Sequence, residues 1–333
     1  MSFSTNVLPL SLESYFATNP TDLELPVAFA LNEDALTVSS DKNIKPSCVE
    51  LVVFADLSLA NLLALQHHCQ LNIEMLQAIN TRNKQTSYRF GICCDDFISA
   101  RKALADFALA QKFEAALVKN APSLAQPGLL VMDMDSTTIE IECIDEIAKL
   151  AGVGEQVAAV TELAMQGELD FAQSLHQRVA TLANAPEQIL ADVAKNIPLM
   201  AGLEPLITEL KKHNWRIAVA SGGFTYFADH LKTLLALDDT FANVLEIIDG
   251  KLTGKVLGSV VDAQVKADSL NLLAEKYQIP ASQTVAMGDG ANDLVMMAAA
   301  SFGVAFHAKP IVLAQADTSI NQQGLDCLLH WLA

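Results

Sequence analysis

The chain has 333 residues, 51% of them hydrophobic, and a formal net charge of -18. This length allows two or three domains with ample apolar core. The strong negative charge argues against nucleic acid and anionic membranes as partners. The sequence shows no signal peptide and no apolar run long enough to span a bilayer, and its six cysteines lack the spacing of a disulfide framework. We therefore expect a cytoplasmic protein with reduced thiols.

The first 120 residues alternate between strand-like and helix-like segments. After a predicted hairpin at residues 27–39, residues 48–119 read as strand, helix, strand, strand, helix and strand. This βαββαβ order predicts an α+β ferredoxin-like domain over residues 1–120. A short polar linker at residues 121–126 then leads into a second domain, residues 127–333.

The second domain opens with the most informative segment, Leu129–Thr138, which reads LLVMDMDSTT. Its four apolar residues predict a strand that is buried on both faces of a parallel sheet. Asp133 and Asp135 follow that strand directly. Because packing does not explain carboxylates at such a place, we interpret them as catalytic residues.

Two further apolar runs end in polar, glycine-rich segments. Residues 215–220 lead into Ser221 and Gly222, and residues 284–287 lead into a turn that contains Asp289. In open α/β sheets, ligands bind beyond the carboxyl ends of the strands. Glycines let backbone N–H groups approach an anion closely, so the first segment suits a phosphate oxygen. The carboxylate in the second segment suits a hard cation.

These strand ends together predict a site for phosphoryl transfer. Asp133 and Asp289 can hold one Mg²⁺ that also takes a phosphate oxygen. Asp133 can then attack phosphorus as a carboxylate nucleophile and form an aspartyl-phosphate. Asp135, two residues further on, can protonate the leaving alkoxide and later deprotonate the attacking water.

The motifs DMDST, SGG and GDGAND, with Lys266 between the last two, resemble the motif set of the haloacid dehalogenase superfamily. From about residue 129 to the C-terminus, the chain further resembles the phosphoserine phosphatase family, on segments such as DSTTIEIECIDEIAKLAG, AMQGELDFAQSLHQRV and SGGFTYF. The resemblance implies a three-layer, Rossmann-like α/β core with a parallel sheet and an inserted helical cap. It also implies one Mg²⁺ per active site and O-phosphoserine as the substrate.

The resemblance also implies a role for each site residue. It makes Asp133 the nucleophile and Asp135 the acid/base, and it places Asp133, the main-chain carbonyl of Asp135 and Asp289 on the metal. The remaining residues that it implies are Ser221, Gly222 and Lys266 on the phosphoryl oxygens, Asn292 beside the phosphate, Asp293 in the outer shell of the metal, Glu142 on the substrate ammonium and Arg178 on the substrate carboxylate.

The segment at about 142–198 is far longer than a strand crossover needs. Its apolar spacing predicts three helices, one before Gly152, one around residues 175–182 and one ahead of Pro198. We interpret this segment as a cap that excludes water from the reaction. Met165 and Phe171 are predicted to line the substrate pocket beneath it. Downstream, Asp249 and Gly250 predict the turn of a β-hairpin beside the site.

The N-terminal domain resembles, in pattern only, the ACT-type amino-acid-binding domains that precede some phosphoserine phosphatases. Two roles stay open for it: a regulatory serine sensor, or a packing and homodimerisation module without a ligand.

The leading hypothesis is a Mg²⁺-dependent phosphatase that converts O-phospho-L-serine to serine and phosphate in serine biosynthesis. Three alternatives remain. The first is a phosphotransferase, or a phosphatase for another small phosphomonoester, because the motifs do not identify the acceptor or the substrate. The second is a signalling receiver, which would lack a cap and an acid/base at the position of Asp135. The third is a catalytically silent amino-acid sensor.

Overall fold

The computed structural model of the protein describes residues 2–4, 7–18, 24–32, 35–39 and 45–333. The chain forms two compact units, Met1–Ala121 with Asp317–Ala333, and Pro122–Ala316. Within the described ranges, every helix falls short of the length or the apolar content that a bilayer-spanning helix needs.

The first unit is an α+β structure. Its elements before residue 121 are β1 (Ser2–Ser4), α1 (Leu12–Thr18), β2 (Val27–Leu31), β3 (Ala35–Ser39), β4 (Val49–Phe54), α2 (Leu59–Cys69), β5 (Leu71–Arg82), β6 (Gln85–Cys94), α3 (Phe97–Gln111) and β7 (Ala115–Lys119). The strands form an antiparallel sheet of order β1-β3-β2-β5-β6-β4-β7. The run from β4 to β7 confirms the predicted βαββαβ order. The predicted hairpin is β2 with β3, and its tip at residues 33–34 lies outside the described residues.

Local signals in the sequence explain where the two long helices of this unit begin. The side chain of Ser58 accepts a hydrogen bond from a backbone N–H of the first turn of α2, and Asp96 does the same for α3. Leu62 of α2 packs in one apolar cluster with Leu51 and Val53, which alternate along β4. The helices therefore cover the face of the sheet that this alternation makes apolar.

The second unit contains the three predicted strand ends. Its elements are β8 (Leu129–Met132), α4 (Cys143–Leu150), α5 (Gly154–Met165), α6 (Phe171–Thr181), α7 (Gln188–Ala194), α8 (Leu203–Lys212), β9 (Arg216–Phe224), α9 (Thr225–Leu235), β10 (Asp239–Ile248), β11 (Lys251–Leu257), α10 (Ala263–Tyr277), β12 (Thr284–Gly288), α11 (Leu294–Ala299), β13 (Phe302–Phe306) and α12 (Pro310–Gln315). In the sheet these strands are ordered β11-β10-β9-β8-β12-β13. The neighbouring strands β10, β9, β8, β12 and β13 all pair in parallel.

Strand β8 lies between β9 and β12, and all three run in the same direction. Leu129 and Val131 belong to an apolar cluster with residues of α10, α11 and α12, and the alternate residues Leu130 and Met132 are also fully buried. The strand is therefore covered on both faces, which confirms the predicted α/β core. Because parallel neighbours end at one edge of a sheet, the segments that follow β8, β9 and β12 meet there.

Helices α4 to α7 form the predicted cap. Three of them were predicted from their apolar spacing, whereas α5 was not, because Val157 is its one buried residue and it shows no apolar stripe. The predicted hairpin is β10 with β11, and its turn residues Asp249 and Gly250 both have positive φ. Backbone hydrogen bonds join the cap to this hairpin, from Asn184 N–H to the Leu252 carbonyl at 2.8 Å and from Leu252 N–H to the Ala185 carbonyl at 2.9 Å. The hairpin thus anchors the end of the cap that follows α6.

The C-terminal segment corrects the predicted division of the chain. The sequence assigned residues 127–333 to one catalytic domain, whereas residues 317–333, with β14 (Thr318–Ile320) and α13 (Leu328–Trp331), group with the first unit. The buried guanidinium of Arg89 explains this grouping. It pairs with Glu50 at 2.5 Å and donates to the carbonyls of His330 at 2.9 Å and Leu332 at 2.8 Å. Sequence spacing gave no sign of this long-range contact.

A buried histidine makes the stability of the first unit sensitive to pH. The ring of His330 is fully buried, with Nδ1 at 2.8 Å from the Ser87 hydroxyl and Nε2 at 3.2 Å from the Arg82 carbonyl. Burial, together with the charges of Arg82 and Arg89, lowers the pKa of His330 to about 4 from its ordinary 6.5. Between these two values the unfolded chain binds a proton that the folded chain does not.

We expect the free energy of unfolding to fall by roughly 3 kcal/mol between pH 6.5 and pH 4 because of His330 alone. Urea unfolding of the wild type and H330Q across this range measures the difference between their pH profiles. H67Q, which changes an exposed histidine of the same unit, should follow the wild type. Parallel profiles for the wild type and H330Q would contradict this assignment.

Candidate active site

The segments after β8 and β12, together with the last residues of β9, line a pocket of about 380 Å³, closed on one side by the cap. The predicted site residues that line it are Asp133, Asp135, Glu142, Met165, Phe171, Arg178, Ser221, Gly222, Asp289 and Asn292. Lys266 and Asp293 lie below its surface and are fully buried. The structure therefore brings together all the residues that the sequence singled out.

Asp133 stands at the end of β8, held by contacts of its backbone and of one carboxylate oxygen. Its backbone N–H donates to the Met287 carbonyl at 2.9 Å, and the Thr138 hydroxyl donates to its carbonyl. Oδ1 accepts from Met134 N–H at 2.7 Å and lies 2.8 Å from Lys266 Nζ. Among the described residues, Oδ2 accepts no hydrogen bond, which leaves this oxygen for a substrate.

Asp135 has the electrostatic environment of a proton donor. Burial, followed by the charges of Glu142 and Asp133, raises the pKa of Asp135 to about 7. The hydrogen bond from Cys143 N–H to Asp135 Oδ1, at 3.1 Å, acts in the opposite direction and lowers this pKa. A carboxyl group with this pKa is present in both protonation states near neutral pH, as general acid and base catalysis requires.

Lys266 neutralises part of the negative charge beneath the pocket. From the first turns of α10, its ammonium lies 2.8 Å from Asp133 Oδ1 and 2.7 Å from Asp293 Oδ1. Burial alone would lower the pKa of Lys266. The charges of Asp133 and Asp293 have the larger effect, so the pKa lies above its ordinary value. Lys266 is therefore a fixed positive charge next to Asp133.

The carboxylates at this edge of the sheet fit a divalent cation. Asp133, Asp289 and Asp293 each offer an oxygen, and these oxygens lie within 4.8 Å of one another. Asp293 already uses both of its oxygens, on Lys266 and on Gly290 N–H at 3.0 Å. Burial and the charge of Asp133 raise the pKa of Asp289. A raised pKa means that the carboxylate form lacks compensating positive charge, which a bound cation would supply. An all-oxygen set of this kind suits a hard divalent cation, and Asp133 and Asp289 are the members with an oxygen left to offer it.

Two opposite charges project from the cap into the same pocket. Glu142 immediately precedes α4, and its Oε1 accepts from the Ser136 hydroxyl at 2.8 Å. Arg178 lies on α6, and its buried Nε has no hydrogen-bond partner among the described residues. Burial lowers the pKa of Arg178, while the nearby charges of Asp145, Glu142 and Asp135 oppose this effect. A guanidinium whose buried Nε has no partner indicates that this end of the pocket takes an anionic group.

The glycine-rich segment forms the end of β9, which makes it more regular than the sequence suggested. We predicted that the strand ends at Ala220, but β9 continues to Phe224, with irregular pairing to β10. The Ser221 hydroxyl accepts from Gly223 N–H at 2.9 Å. A Cβ on Gly222 would lie 2.5 Å from the ring of Phe171, so any larger residue here would have to displace that ring.

Sequence reasoning missed several residues that line the pocket. They are Ile144, Asp145, Thr161, Leu175, Phe224 and Lys309. The helical spacing from Glu142 would have indicated Asp145, which lies about one turn further along. Lys309 follows the strand β13, so the rule that located the other strand ends would also have found it.

A family model for haloacid dehalogenase-like hydrolases matches residues 128–301. The chain therefore belongs to the haloacid dehalogenase-like hydrolases.

Known proteins similar to this chain are phosphoserine phosphatases. A Vibrio cholerae protein of that name is 60% identical over 216 residues, which cover 65% of this chain and 66% of that protein. The matched segment thus spans about two thirds of that relative. A solved structure of a probable phosphoserine phosphatase from Vibrio cholerae, in its unliganded form, is 47% identical, with a TM-score of 0.73 over 86% of each chain. A substrate-bound phosphoserine phosphatase is 41% identical, with a TM-score of 0.59 over 62% of this chain and 99% of that one.

Proposed function

We propose that this protein hydrolyses O-phospho-L-serine to L-serine and phosphate, the last step of serine biosynthesis, in the cytoplasm. The observation that carries the proposal is the pair of Arg178, with its open Nε, and Glu142 in the pocket that also holds Asp133. The similarity to phosphoserine phosphatases, one of them solved with its substrate, supports it.

The charges of the pocket match each polar group of phosphoserine. This substrate is a zwitterion that also carries a phosphomonoester, so a selective site needs an anion for the ammonium and a planar donor for the carboxylate. Glu142 and Arg178 supply these two groups from the cap. Ser221, Gly222 and Lys266 would hold the phosphoryl oxygens, with Asn292 beside them at the pocket wall.

In the first step, Asp133 Oδ2 attacks phosphorus and the bond from phosphorus to the serine oxygen breaks. Asp135 donates its proton to that leaving oxygen, which releases serine and leaves a phosphorylated Asp133. In the second step, Asp135 takes a proton from water, the water oxygen attacks phosphorus, and the bond to Asp133 breaks. The pKa of Asp135, about 7, suits both of its roles.

Mg²⁺ held by Asp133, the main-chain carbonyl of Asp135 and Asp289 would neutralise negative charge on the phosphoryl group and the attacking carboxylate. Asp293 would act indirectly, since it holds Lys266 beside Asp133.

Phosphate release from O-phospho-L-serine, with Mg²⁺ and with excess chelator, tests this function. We expect rapid release with Mg²⁺ and loss of activity with chelator that added Mg²⁺ restores. No release with Mg²⁺ would contradict the proposal. Equal release of serine and phosphate in the presence of added alcohols would exclude the phosphotransferase alternative.

The narrow space above Gly222 gives a further prediction. Its replacement by Ala should displace the ring of Phe171 and lower kcat/KM for phosphoserine roughly tenfold, with the fold intact. G154A is the matched control, because the nearest atom to a Cβ there is 3.8 Å away, in ordinary contact. Equal activity of the two variants would show that the position of the Phe171 ring above Gly222 does not affect substrate binding or turnover.

A further inference from the structure

A fourth strand end contributes a cation to the pocket. Strand β13 pairs in parallel with β12, so its carboxyl end lies at the same edge of the sheet. The chain then passes through His307 to Lys309, which lines the pocket with Asp289 and Asn292. None of the catalytic roles described above involves Lys309.

Backbone contacts fix the position of Lys309. Its N–H donates to the Asp289 carbonyl at 3.2 Å, and Pro310 begins α12 immediately after it. Lys309 is an exposed residue, so it stands where the pocket meets solvent.

The side chains that line the pocket carry more negative than positive groups, so the charge of Lys309 matters for binding an anion. The acidic residues that line the pocket are Asp133, Asp135, Glu142, Asp145 and Asp289, whereas the basic ones are Arg178 and Lys309. The chain as a whole carries a formal charge of -18. A phosphomonoester dianion is therefore repelled on approach unless the entrance is locally positive.

Lys309 is the cation best placed to supply that local charge. Lys266 is fully buried and already contacts two carboxylates, and Arg178 is half-buried under the cap. Lys309 makes no ion pair within 4.0 Å in the described part of the chain, so its ammonium is available to a ligand.

We propose that Lys309 is a substrate-recognition residue, whose ammonium draws the phosphoryl group of the incoming phosphomonoester into the mouth of the pocket and contacts it there. This inference rests on the proposed function for its substrate. Lys309 acts on binding more than on the chemical step, since Lys266 already provides the charge next to Asp133.

The test compares the wild type, K309A, K309R and K212A as full chains with Mg²⁺. Lys212 is an exposed lysine of the same unit that does not line the pocket, so K212A removes the same charge elsewhere. We measure kcat and KM for O-phospho-L-serine from low to high ionic strength, and the affinity for inorganic phosphate by titration calorimetry.

For K309A, we expect KM to rise roughly five- to tenfold at low ionic strength, kcat to stay within about twofold, and the salt dependence of kcat/KM to become shallower. K309R should restore most of the affinity, and K212A should match the wild type. Phosphate should bind K309A more weakly by a similar factor. K309A that equals K212A in KM, salt dependence and phosphate affinity would overturn the inference.

The two proposals fail separately. A wild type that does not hydrolyse phosphoserine would refute the proposed function alone. The phosphate titration would then still decide the role of Lys309, since it needs no turnover.

Discussion

Replacing Asp133 by Asn should abolish both phosphate release and the covalent phosphoenzyme, with a loss in kcat of roughly a thousandfold or more. The physical reason is that an amide oxygen is a far weaker nucleophile than the carboxylate oxygen Oδ2. The change is nearly isosteric, and Lys266 keeps its contact with Asp293 at 2.7 Å, so the site should stay folded. Acid quench during turnover of radiolabelled phosphoserine measures the phosphoenzyme, and thermal unfolding measures stability.

D106N is the matched control for this variant, since it makes the same chemical change at an exposed residue of the first unit. It should retain wild-type turnover and phosphoenzyme. Turnover by D133N at a rate near that of the wild type would refute Asp133 as the nucleophile. A D133N chain that fails to unfold cooperatively would assign Asp133 a structural role, and thermal unfolding distinguishes that outcome.

Replacing Arg178 by Ala should lower kcat/KM for phosphoserine by roughly a hundredfold, and for an aryl phosphate by less than about fivefold. The aryl ester has no carboxylate, so it does not use the guanidinium. The open Nε of Arg178 is the structural basis of this difference. The steady-state kinetics of both substrates, measured on the same preparation, give the ratio directly.

The variant R178K separates charge from geometry. Lysine keeps the positive charge but lacks the planar pair of donors, so R178K should recover only part of the activity towards phosphoserine. Equal losses for the two substrates in R178A would show that Arg178 does not bind the substrate carboxylate. The substrate assignment would then lose its main support, while the catalytic role of Asp133 would be unaffected.

The sequence predicted the catalytic edge of the sheet because its signals are local. An apolar run that ends in Asp133 is a strong pattern, and Asp289 and Ser221 follow comparable runs. The rule that parallel strands end at one edge then places these residues together without any knowledge of packing. For the same reason the helices α4, α6 and α7, which bury an apolar stripe, were predicted and α5 was not.

Features that depend on long-range contacts could not be predicted from local sequence patterns. The grouping of residues 317–333 with the first unit rests on Arg89, whose partners lie more than 240 positions further along the chain. The extension of β9 to Phe224 rests on its pairing with β10. The open Nε of Arg178 is visible only once α6 is packed over the pocket.

The structure also weighs against two of the alternatives. A signalling receiver needs no cap and no acid/base beside its aspartate, whereas here the helices α4 to α7 cover a pocket that contains Asp135. A silent amino-acid sensor needs no arrangement like that of Asp133, Lys266 and Asp289. The role of the first unit, as a regulatory module or a site of homodimerisation, stays a prediction.

The measurement that tests the account most directly is the specificity of phosphate release across a panel of phosphomonoesters. With Mg²⁺, L-phosphoserine should exceed D-phosphoserine, phosphothreonine, phosphoglycolate and a sugar phosphate in kcat/KM, and chelator should remove the activity. Phosphoglycolate is the most telling competitor, because it keeps the carboxylate that Arg178 would bind but lacks the ammonium that Glu142 would bind. Metal-dependent turnover of another ester with little or none of phosphoserine would contradict the account.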